Sequence, residues 1–368
     1  MDYKKLLYFV ATCLTISLEE KNKQAIEKQL KVLKLTDNQP FWEAVVQVST
    51  SHYVFPALFC ALKREGFLKY LPQELVNYME HTTHLNQERN EQIITQAKKL
   101  NAFLLAHDIT PIFIKGTGNL LAGLYSDIAE RMLGDIDFLF SKEDYTKAIP
   151  LLKDKGYHKI EHKNEFLSPW SKHYPRLIKE DEIAPIEIHN VLLIEEYRDE
   201  FNYSFVKKDV QIINGVSVLS YANKLNLSIL ACQINDDRFY YRTISLRNAY
   251  DVFLLSKKTS AKNAVSTLSK LMHPANCFLA TCYEVFNKIA GLEYHKNKKT
   301  TAYIDTFKSQ FIHPKNTRRR HYMIKKYLVV KISATLIYKC IIYKEYGVWL
   351  FHYITDINSW KKQFKKQG

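Results

Sequence analysis

The segment from Pro111 to Phe140 constrains the fold of this 368-residue chain most, because it ends with two acids inside an apolar run. The run has the β-favouring composition of a buried strand through Ile136, Phe138, Leu139 and Phe140. Side chains two positions apart on a strand leave the same face, so we expect Asp135 and Asp137 to point together. Neighbouring carboxylates removed from water need cations, and hard oxygen ligands suit Mg²⁺. The pattern therefore predicts a divalent metal site.

The residues before this strand favour a functional site over a chance D-x-D pair in which one acid caps a turn and the other is solvated. Gly134 permits a tight turn into the strand. Further upstream, a predicted strand from Pro111 to Ile114 meets Lys115-Gly116, and a helix is predicted from Thr117 to Leu124. A strand, a glycine turn and a helix make a phosphate-binding geometry.

In that geometry the N–H groups of Gly116, Thr117 and Gly118 at the helix start would receive a polyphosphate. Lys115 or Arg131 would supply the opposite charge. The segment lacks both the G-x-x-x-x-G-K-[ST] phosphate loop and the dinucleotide-binding G-x-G-x-x-G. Neither of those two nucleotide-binding classes is therefore indicated.

A third acid occurs in the apolar run A-P-I-E-I-H-N, residues 184 to 190. If this run is a strand, Ile186 and Ile188 face the core, and Glu187 and His189 share the other face. The alternative is an edge strand with Glu187 in water. Three acids from two strands around two metal ions are the arrangement of phosphoryl and nucleotidyl transfer.

These residues carry a resemblance to a known family. The run from Ile114 to Leu139, with its I-K-G start, Leu124-Tyr125, Arg131 and G-D-I-D-F, followed by I-E-I-H, resembles the uncharacterised nucleotidyltransferase family of the DNA polymerase β-like superfamily. A weaker similarity covers L-R-N-A-Y-D-V-F-L-L, residues 246 to 255, which resembles the helix that follows the catalytic domain in that family. The fold that the resemblance implies is α+β, with a mixed sheet and flanking helices.

The resemblance also implies roles for individual residues. Asp135 and Asp137 would bind the divalent metals, and Glu187 would complete the site. Nucleotide-phosphate contacts are implied for Lys115, Gly116 and Arg131. Most superfamily members place a glycine-serine pair at the helix start, whereas this chain has Lys115-Gly116-Thr117-Gly118, so a hydroxyl contact would have to come from Thr117.

The implied activity is Mg²⁺-dependent transfer of a nucleoside monophosphate from a nucleoside triphosphate, with two Mg²⁺ ions and ATP as the first candidate. Pyrophosphate would leave, and an acceptor hydroxyl that the sequence does not identify would be modified. His189 would orient Glu187 or approach the acceptor. Two alternatives stay open: a non-catalytic nucleotide-binding or interaction module of the same fold, and a metal-dependent glycosyltransferase that uses D-x-D for a nucleotide-sugar.

The length favours two or three domains. Residues 1–107 read as an N-terminal helical region, with a first packed helix and a long helix from Pro72 to Ala106. Residues 108–220 read as the catalytic α/β domain, and 221–368 as a C-terminal helical domain with a basic tail region. Within 108–220 we expect a Ser141-capped helix through Lys155, a hairpin at Asn214-Gly215, and strands at 157–161, 173–179 and 184–189.

The six cysteines are scattered without C-x-x-C spacing, which argues against a zinc ribbon or a disulfide framework and fits a reducing cytoplasm. The N-terminal apolar run superficially resembles a secretory signal but continues into a polar helical pattern, so we interpret it as a packed helix.

The charge is concentrated near the C-terminus. Residues 296–368 hold 17 Lys and Arg against 3 Asp and Glu, whereas the whole chain has a net charge of +15. Aromatic and aliphatic residues separate one basic cluster at 318–326 from another at 361–366. Three interpretations stay open: contact with RNA, contact with an anionic membrane surface, or a packed helical pair with a solvated basic rim. Lys331, Lys339 and Lys344 interrupt the apolar stretch, so we expect no transmembrane segment.

Overall fold

The structure of the chain, a computed structural model, describes residues 2–36, 38–160 and 171–355. The helices in these ranges are α1 (Tyr3–Cys13), α2 (Glu20–Thr36), α3 (Gln39–Ser51), α4 (Phe55–Arg64), α5 (Gln73–Leu105), α6 (Lys115–Leu121), α7 (Lys142–Asp154), α8 (Tyr203–Val206), α9 (Tyr221–Leu230), α10 (Arg238–Tyr241), α11 (Leu246–Ser256), α12 (Ala261–Ser266), α13 (Met272–Val285), α14 (Lys298–Ile312), α15 (Pro314–Ile342) and α16 (Lys344–Thr355). The strands are β1 (Ile112–Phe113), β2 (Ile136–Leu139), β3 (His158–Lys159), β4 (Leu177–Ile178), β5 (Ile186–His189), β6 (Gln211–Ile213) and β7 (Val216–Val218).

The strands form one mixed sheet in the order β3-β4-β5-β2-β1-β7-β6. Strand β2 lies at its centre, parallel to β5 and antiparallel to β1. On the outer sides, β1 runs parallel to β7, while β3, β4 and β6 pair antiparallel to their neighbours. The predicted α+β class with a mixed sheet and flanking helices is confirmed.

Local sequence signals explain several element ends. The Ser141 hydroxyl accepts a hydrogen bond from the Asp144 N–H at 3.0 Å and caps α7, which ends before Gly156 at a φ of 96°. Asn214 and Gly215 have φ values of 51° and 77°, as the two-residue turn between β6 and β7 requires. The predicted α7 cap and the β6–β7 hairpin are therefore confirmed.

Two large apolar clusters hold the chain together. One surrounds the sheet and includes Leu100 of α5, Phe138 of β2 and Leu152 of α7. The other joins the N-terminal helices to the helices after the sheet, and α1 packs against α3, α4 and α13. The interpretation of the first segment as a packed helix is confirmed, because Leu7 and Val10 of α1 are almost fully buried. The division into three domains stays a prediction.

Several predicted element bounds differ from the structure. Helix α6 begins at Lys115 rather than Thr117, and the strands predicted at 111–114, 157–161 and 173–179 shorten to two residues each. Strand β1 ends early because α6 begins at Lys115, and β3 and β4 are the last two strands at one edge of the sheet. The expected strand residue at position 161 and the basic cluster at 361–366 lie outside the described residues.

In the part of the chain that the structure describes, no single helix is both long and apolar enough to cross a membrane. The consecutive helices α3 and α4 have the required length and hydropathy only when they are taken together, and a bend of 119° separates them.

Candidate active site

The two carboxylates at the centre of the sheet lie on neighbouring parallel strands. Asp137 of β2 lies directly opposite Glu187 of β5, and both side chains are buried, with relative exposures of 3% and 5%. His189 follows Glu187 two residues later on the same strand face and is equally buried. Asp135 comes one residue before β2 and is more exposed. The two parallel strands thus bring together the acids that the sequence predicted to converge.

The donor atoms of this cluster are close enough to share one ion. His189 Nε2 lies 2.9 Å from Asp137 Oδ1 and 3.3 Å from Glu187 Oε2. One ligand atom from each of Asp137, Glu187 and His189 lies within 4.8 Å of the others. Two carboxylate oxygens and an imidazole nitrogen form a donor set that divalent metals accept.

Lys115 connects the start of α6 to these acids. Its ammonium donates to Asp137 Oδ1 at 2.6 Å and to Glu187 Oε2 at 3.3 Å. Its backbone has a positive φ of 52°. Lysine rarely adopts this conformation, and from it the Lys115 side chain reaches both acids.

Arg176 is the site residue that sequence reasoning missed. Its Nε donates to Glu187 Oε1 at 2.6 Å and its Nη2 donates to Asp135 Oδ2 at 2.7 Å. One guanidinium therefore bridges the first and third acids. Arg176 precedes β4, the antiparallel neighbour of β5. A basic residue inside the strand predicted at 173–179 was the available signal, but the pairing between strands cannot be read from one strand alone.

Burial and neighbouring charges determine the pKa values of the three acids. Burial, reinforced by the charges of Asp137 and Glu187, raises the pKa of Asp135 to about 6. Burial also opposes ionisation of Asp137, but the Lys115 ammonium and the hydrogen bond to His189 outweigh it and hold its pKa below the usual value. The pKa of Glu187 is likewise held well below its usual value, because hydrogen bonds from His189 and Arg176 and the Lys115 charge outweigh burial.

The first turn of α6 packs tightly under the acids. A Cβ on Gly116 would meet Leu133 Cδ2 at 2.4 Å, and a Cβ on Gly118 would meet the Phe113 carbonyl oxygen at 2.4 Å. The Gly118 N–H already donates to the Ile114 carbonyl at 3.0 Å, so it is occupied within the helix. The Thr117 hydroxyl donates to the Asp135 carbonyl at 3.0 Å and is buried. This bond positions the acid, and the predicted phosphate contact from Thr117 stays a prediction.

Arg131 lies beside the cluster and faces the helices that follow the sheet. Its Nε donates to Asp251 Oδ2 of α11 at 3.2 Å, and its Nη1 donates to the Met132 carbonyl at 2.9 Å. The Tyr125 hydroxyl donates to the other Asp251 oxygen at 2.7 Å. Arg131 therefore links the sheet to α11, while its predicted contact with a nucleotide stays untested.

A cleft of about 600 Å³ opens between the acids and the helices after the sheet. Lys115, Gly116, Arg131, Asp135, Asp137, Glu187 and His189 line one side, which places these predicted site residues together. Helices α9 and α11 form the opposite wall with Leu227, Ser228, Arg247 and Asn248. Helices that follow the sheet in the sequence therefore form one wall of the cleft.

The second wall contributes a cation that sequence reasoning did not single out. The Arg247 guanidinium lies over the Tyr53 ring at 5.0 Å, and its buried Nε has no acceptor among the described residues. Burial and the nearby Arg131 lower the pKa of Arg247. Such a cation, facing a cleft that also contains Lys172, suits an anionic ligand.

A family model described as "Uncharacterised nucleotidyltransferase" matches residues 38–285, which include the whole acid cluster and both walls of the cleft. The chain belongs to this family of uncharacterised nucleotidyltransferases. The match covers about two thirds of the chain and ends within α13. It confirms the resemblance that the I-K-G, G-D-I-D-F and I-E-I-H segments carry.

Two solved structures are similar to the chain. One is a candidate nucleotidyltransferase from H. pylori, with 18% identity and a TM-score of 0.32, covering 65% of this chain and 96% of that one. The other is JHP933 from Helicobacter pylori, with 18% identity and a TM-score of 0.31, covering 68% of this chain and 97% of that one. No curated protein matches the chain.

Proposed function

We propose that the protein transfers a nucleoside monophosphate from a nucleoside triphosphate, with ATP as the first candidate, to an acceptor hydroxyl and releases pyrophosphate. The observation that carries the proposal is the direct opposition of Asp137 and Glu187 on β2 and β5, with Asp135 tied to Glu187 through Arg176. Family membership supports the reaction class. The acceptor has no support from either source and stays open.

The donor set fits Mg²⁺. Asp137, Glu187 and His189 would hold one ion, and Asp135 adds a carboxylate for a second. When bound, Mg²⁺ neutralises phosphate charge and lowers the pKa of an acceptor hydroxyl. Carboxylates held ionised by Lys115 and Arg176 are ready to accept metal ions, because no proton must leave first.

The cationic residues of the cleft would orient the triphosphate. Lys115 and Arg176 lie at the acids, and Arg247 faces them from α11 with an unused donor. Cations on both walls fit a polyphosphate that spans the cleft. Without a bound ion, His189 Nε2 holds Glu187 and Asp137 in orientation, and the same nitrogen would become a ligand when an ion binds.

A second candidate function is a nucleotide-binding module without catalysis. It is favoured by the position of Lys115, whose ammonium already lies between Asp137 and Glu187 and compensates their charge. In that case nucleotide would bind without a metal requirement. Metal dependence of both binding and turnover separates the two candidates.

The decisive experiment incubates the purified protein with Mg²⁺ and each of the four α-labelled nucleoside triphosphates, and it measures pyrophosphate and labelled product. Asp137→Asn and Glu187→Gln should each lower turnover about a thousandfold. Glu143→Gln, an exposed change on α7, is the matched control and should retain activity. Equal turnover in folded Asp137→Asn would contradict the proposal. Metal-independent binding without turnover would support the module, and UDP release from a sugar donor would support a glycosyltransferase.

A further inference from the structure

The last two described helices hold most of the exposed large apolar side chains among the described residues. We refer to residues 314–355, helices α15 and α16, as the C-terminal hairpin. Of the 23 large apolar side chains that are exposed among the described residues, 14 lie between positions 322 and 354. The only buried side chains in this hairpin are Leu328 and Tyr346. Apolar exposure concentrated in this way marks an interaction surface.

Five of the ten exposed large apolar residues of α15 lie along one side of the helix. They recur at intervals of three, four or seven positions: Met323, Tyr327, Val330, Ile337 and Ile341. Leu328, the buried residue, lies on the opposite side. Each member of the stripe is more than half exposed, and Ile341 reaches 80%. Tyr338 widens the stripe on one flank, and the other four lie elsewhere around the helix: Tyr322, Val329, Ile332 and Ile342. Phe351 and Ile354 add exposed apolar side chains on α16.

Polar bonds attach the buried side of α15 to the protein body. Arg320 Nη2 donates to the Tyr241 carbonyl at 2.8 Å, and Lys331 Nζ lies 2.6 Å from Glu196 Oε2. Lys339 pairs with Glu195. These bonds hold the helix along the body, so the apolar stripe faces outward.

The charge of this surface is positive apart from one acid. Residues 314–355 contain nine Lys and Arg against Glu345. Six of these cations are exposed and have no ion pair with a carboxylate in the described ranges: Lys315, Arg318, Arg319, Lys325, Lys326 and Lys344. The surface therefore combines a broad apolar side with uncompensated positive charge.

We propose that the C-terminal hairpin binds the surface of an anionic lipid bilayer, with α15 lying in the plane of the interface. The apolar stripe would enter the boundary between headgroups and acyl chains, and the exposed cations would contact lipid phosphates. The tyrosines of the stripe suit this depth, because an aromatic ring with a polar tip favours the membrane interface.

Other occupants fit the surface less well. RNA is bound through phosphate contacts and stacking on aromatic rings, and Val330, Ile337 and Ile341 offer neither. A second copy of the hairpin would bring six exposed cations without carboxylate partners against six, and Glu345 is the hairpin's one acid to compensate them. Charge complementarity therefore favours anionic lipid, and the other two occupants become outcomes of the test.

The test uses flotation of the full-length protein with vesicles of phosphatidylcholine alone or of phosphatidylcholine mixed with phosphatidylglycerol. Binding to the mixed vesicles should be at least about tenfold stronger and should fall with added salt. Ile337→Gln/Ile341→Gln should abolish flotation, because it removes two apolar side chains of the stripe. Both side chains are mostly exposed, so the replacement leaves the core intact. Ile212→Gln, at a residue 75% exposed on β6, is the matched control.

A second pair of variants isolates the charge. Replacing Arg318, Arg319, Lys325 and Lys326 by Gln should lower vesicle binding about tenfold or more, whereas replacing Lys98, Lys99, Lys142 and Lys147 should leave it unchanged. Circular dichroism verifies the fold of every variant.

Three results would overturn the proposal. The first is that the protein fails to float with the mixed vesicles. The second is that the Ile337→Gln/Ile341→Gln variant floats as well as the unchanged protein. The third is that the protein binds single-stranded RNA, more weakly after the cation changes, while it binds no vesicles. Dimerisation through the hairpin, seen by sedimentation and lost in Ile337→Gln/Ile341→Gln, would instead assign the surface to a second copy. None of these results depends on nucleotide turnover.

Discussion

Arg131 and Asp251 form a buried ion pair between the loop before β2 and helix α11, with Arg131 Nε 3.2 Å from Asp251 Oδ2. The pair connects the sheet that carries the acids to the helix that carries Arg247. Because both partners are almost fully buried, removal of either one leaves a charge without compensation in the interior. The pair therefore connects the two walls of the cleft from outside the acid cluster.

Asp251→Asn should lower the free energy of unfolding by about 3 kcal/mol, because the Arg131 guanidinium stays buried without its counter-charge. Denaturant unfolding followed by circular dichroism measures this loss. A double-mutant cycle with Arg131→Gln should show that the two changes are strongly non-additive. Additive losses would show that the pair contributes no coupling.

Gly118→Ala should destabilise the protein by about 2 kcal/mol, because a Cβ at this position would lie 2.4 Å from the Phe113 carbonyl oxygen. The backbone of α6 or β1 would have to move, and with it the support of the acids. Gly134→Ala is the matched control, because nothing lies within 4 Å of its Cβ position and its φ is not positive. Thermal unfolding of the two variants compares them, and equal midpoints would contradict the packing argument.

The prediction of strand β2 was correct, but the role that it gave to Gly134 was incomplete. Strand β2 forms as predicted, but Gly134 needs no left-handed backbone, whereas Lys115 adopts one. The strand was predictable because apolar residues surround Asp137, and the same pattern surrounds Glu187. That Asp137 and Glu187 lie directly opposite each other was not predictable, because the register between two strands depends on how those strands pair.

Arg176 and Arg247 were missed for a related reason. Both arginines contact residues that are distant in the sequence, and neither lies in a sequence motif that indicates which residues it contacts. Arg176 meets Asp135 across 41 positions, and Arg247 meets the ring of Tyr53 across 194 positions. Long-range pairs of this kind are decided by the tertiary fold, and a single sequence carries no direct signal for them.

Lys115→Gln should lower the free energy of unfolding in metal-free buffer by about 2 kcal/mol. Loss of the ammonium leaves Asp137 and Glu187 with less compensating charge, and the value is reduced because the Lys115 side chain is 34% exposed. Addition of Mg²⁺ should raise the melting temperature of the variant more than that of the unchanged protein, since the ion replaces the missing cation. Lys142→Gln is the control. An identical Mg²⁺ effect in all three proteins would place any bound ion elsewhere.

His189→Asn should weaken Mn²⁺ binding about tenfold and Mg²⁺ binding by a smaller factor. The imidazole nitrogen 2.9 Å from Asp137 Oδ1 is a donor that Mn²⁺ accepts more readily than Mg²⁺ does, while the two carboxylates suit both ions. Calorimetric titration of each metal into the folded variant measures the difference. A loss of the same size for both ions would indicate that His189 only orients the carboxylates.

His52 connects pH to the stability of the wall that carries Arg247. Its Nδ1 accepts a hydrogen bond from the Leu246 N–H at 3.2 Å, at the start of α11, and its Nε2 lies 3.0 Å from the Tyr3 hydroxyl. Burial, with a smaller contribution from Arg238, lowers the pKa of His52 to about 4. In the unfolded chain the imidazole titrates near its ordinary value of about 6.5.

Because the folded pKa lies below the unfolded one, the unfolded state binds the proton first as pH falls. The contribution of neutral His52 is therefore complete above about pH 6.5 and decreases between pH 6.5 and 4, by about 2 kcal/mol after allowance for partial solvent exposure. Carboxylates titrate in the same range, so the comparison is with His52→Gln, whose amide has no proton to gain. The difference in unfolding free energy between the two proteins should shrink from pH 7 to pH 4.5. A constant difference across that range would show that the imidazole has the same pKa in the folded and the unfolded chain, and would remove His52 as a source of acid sensitivity.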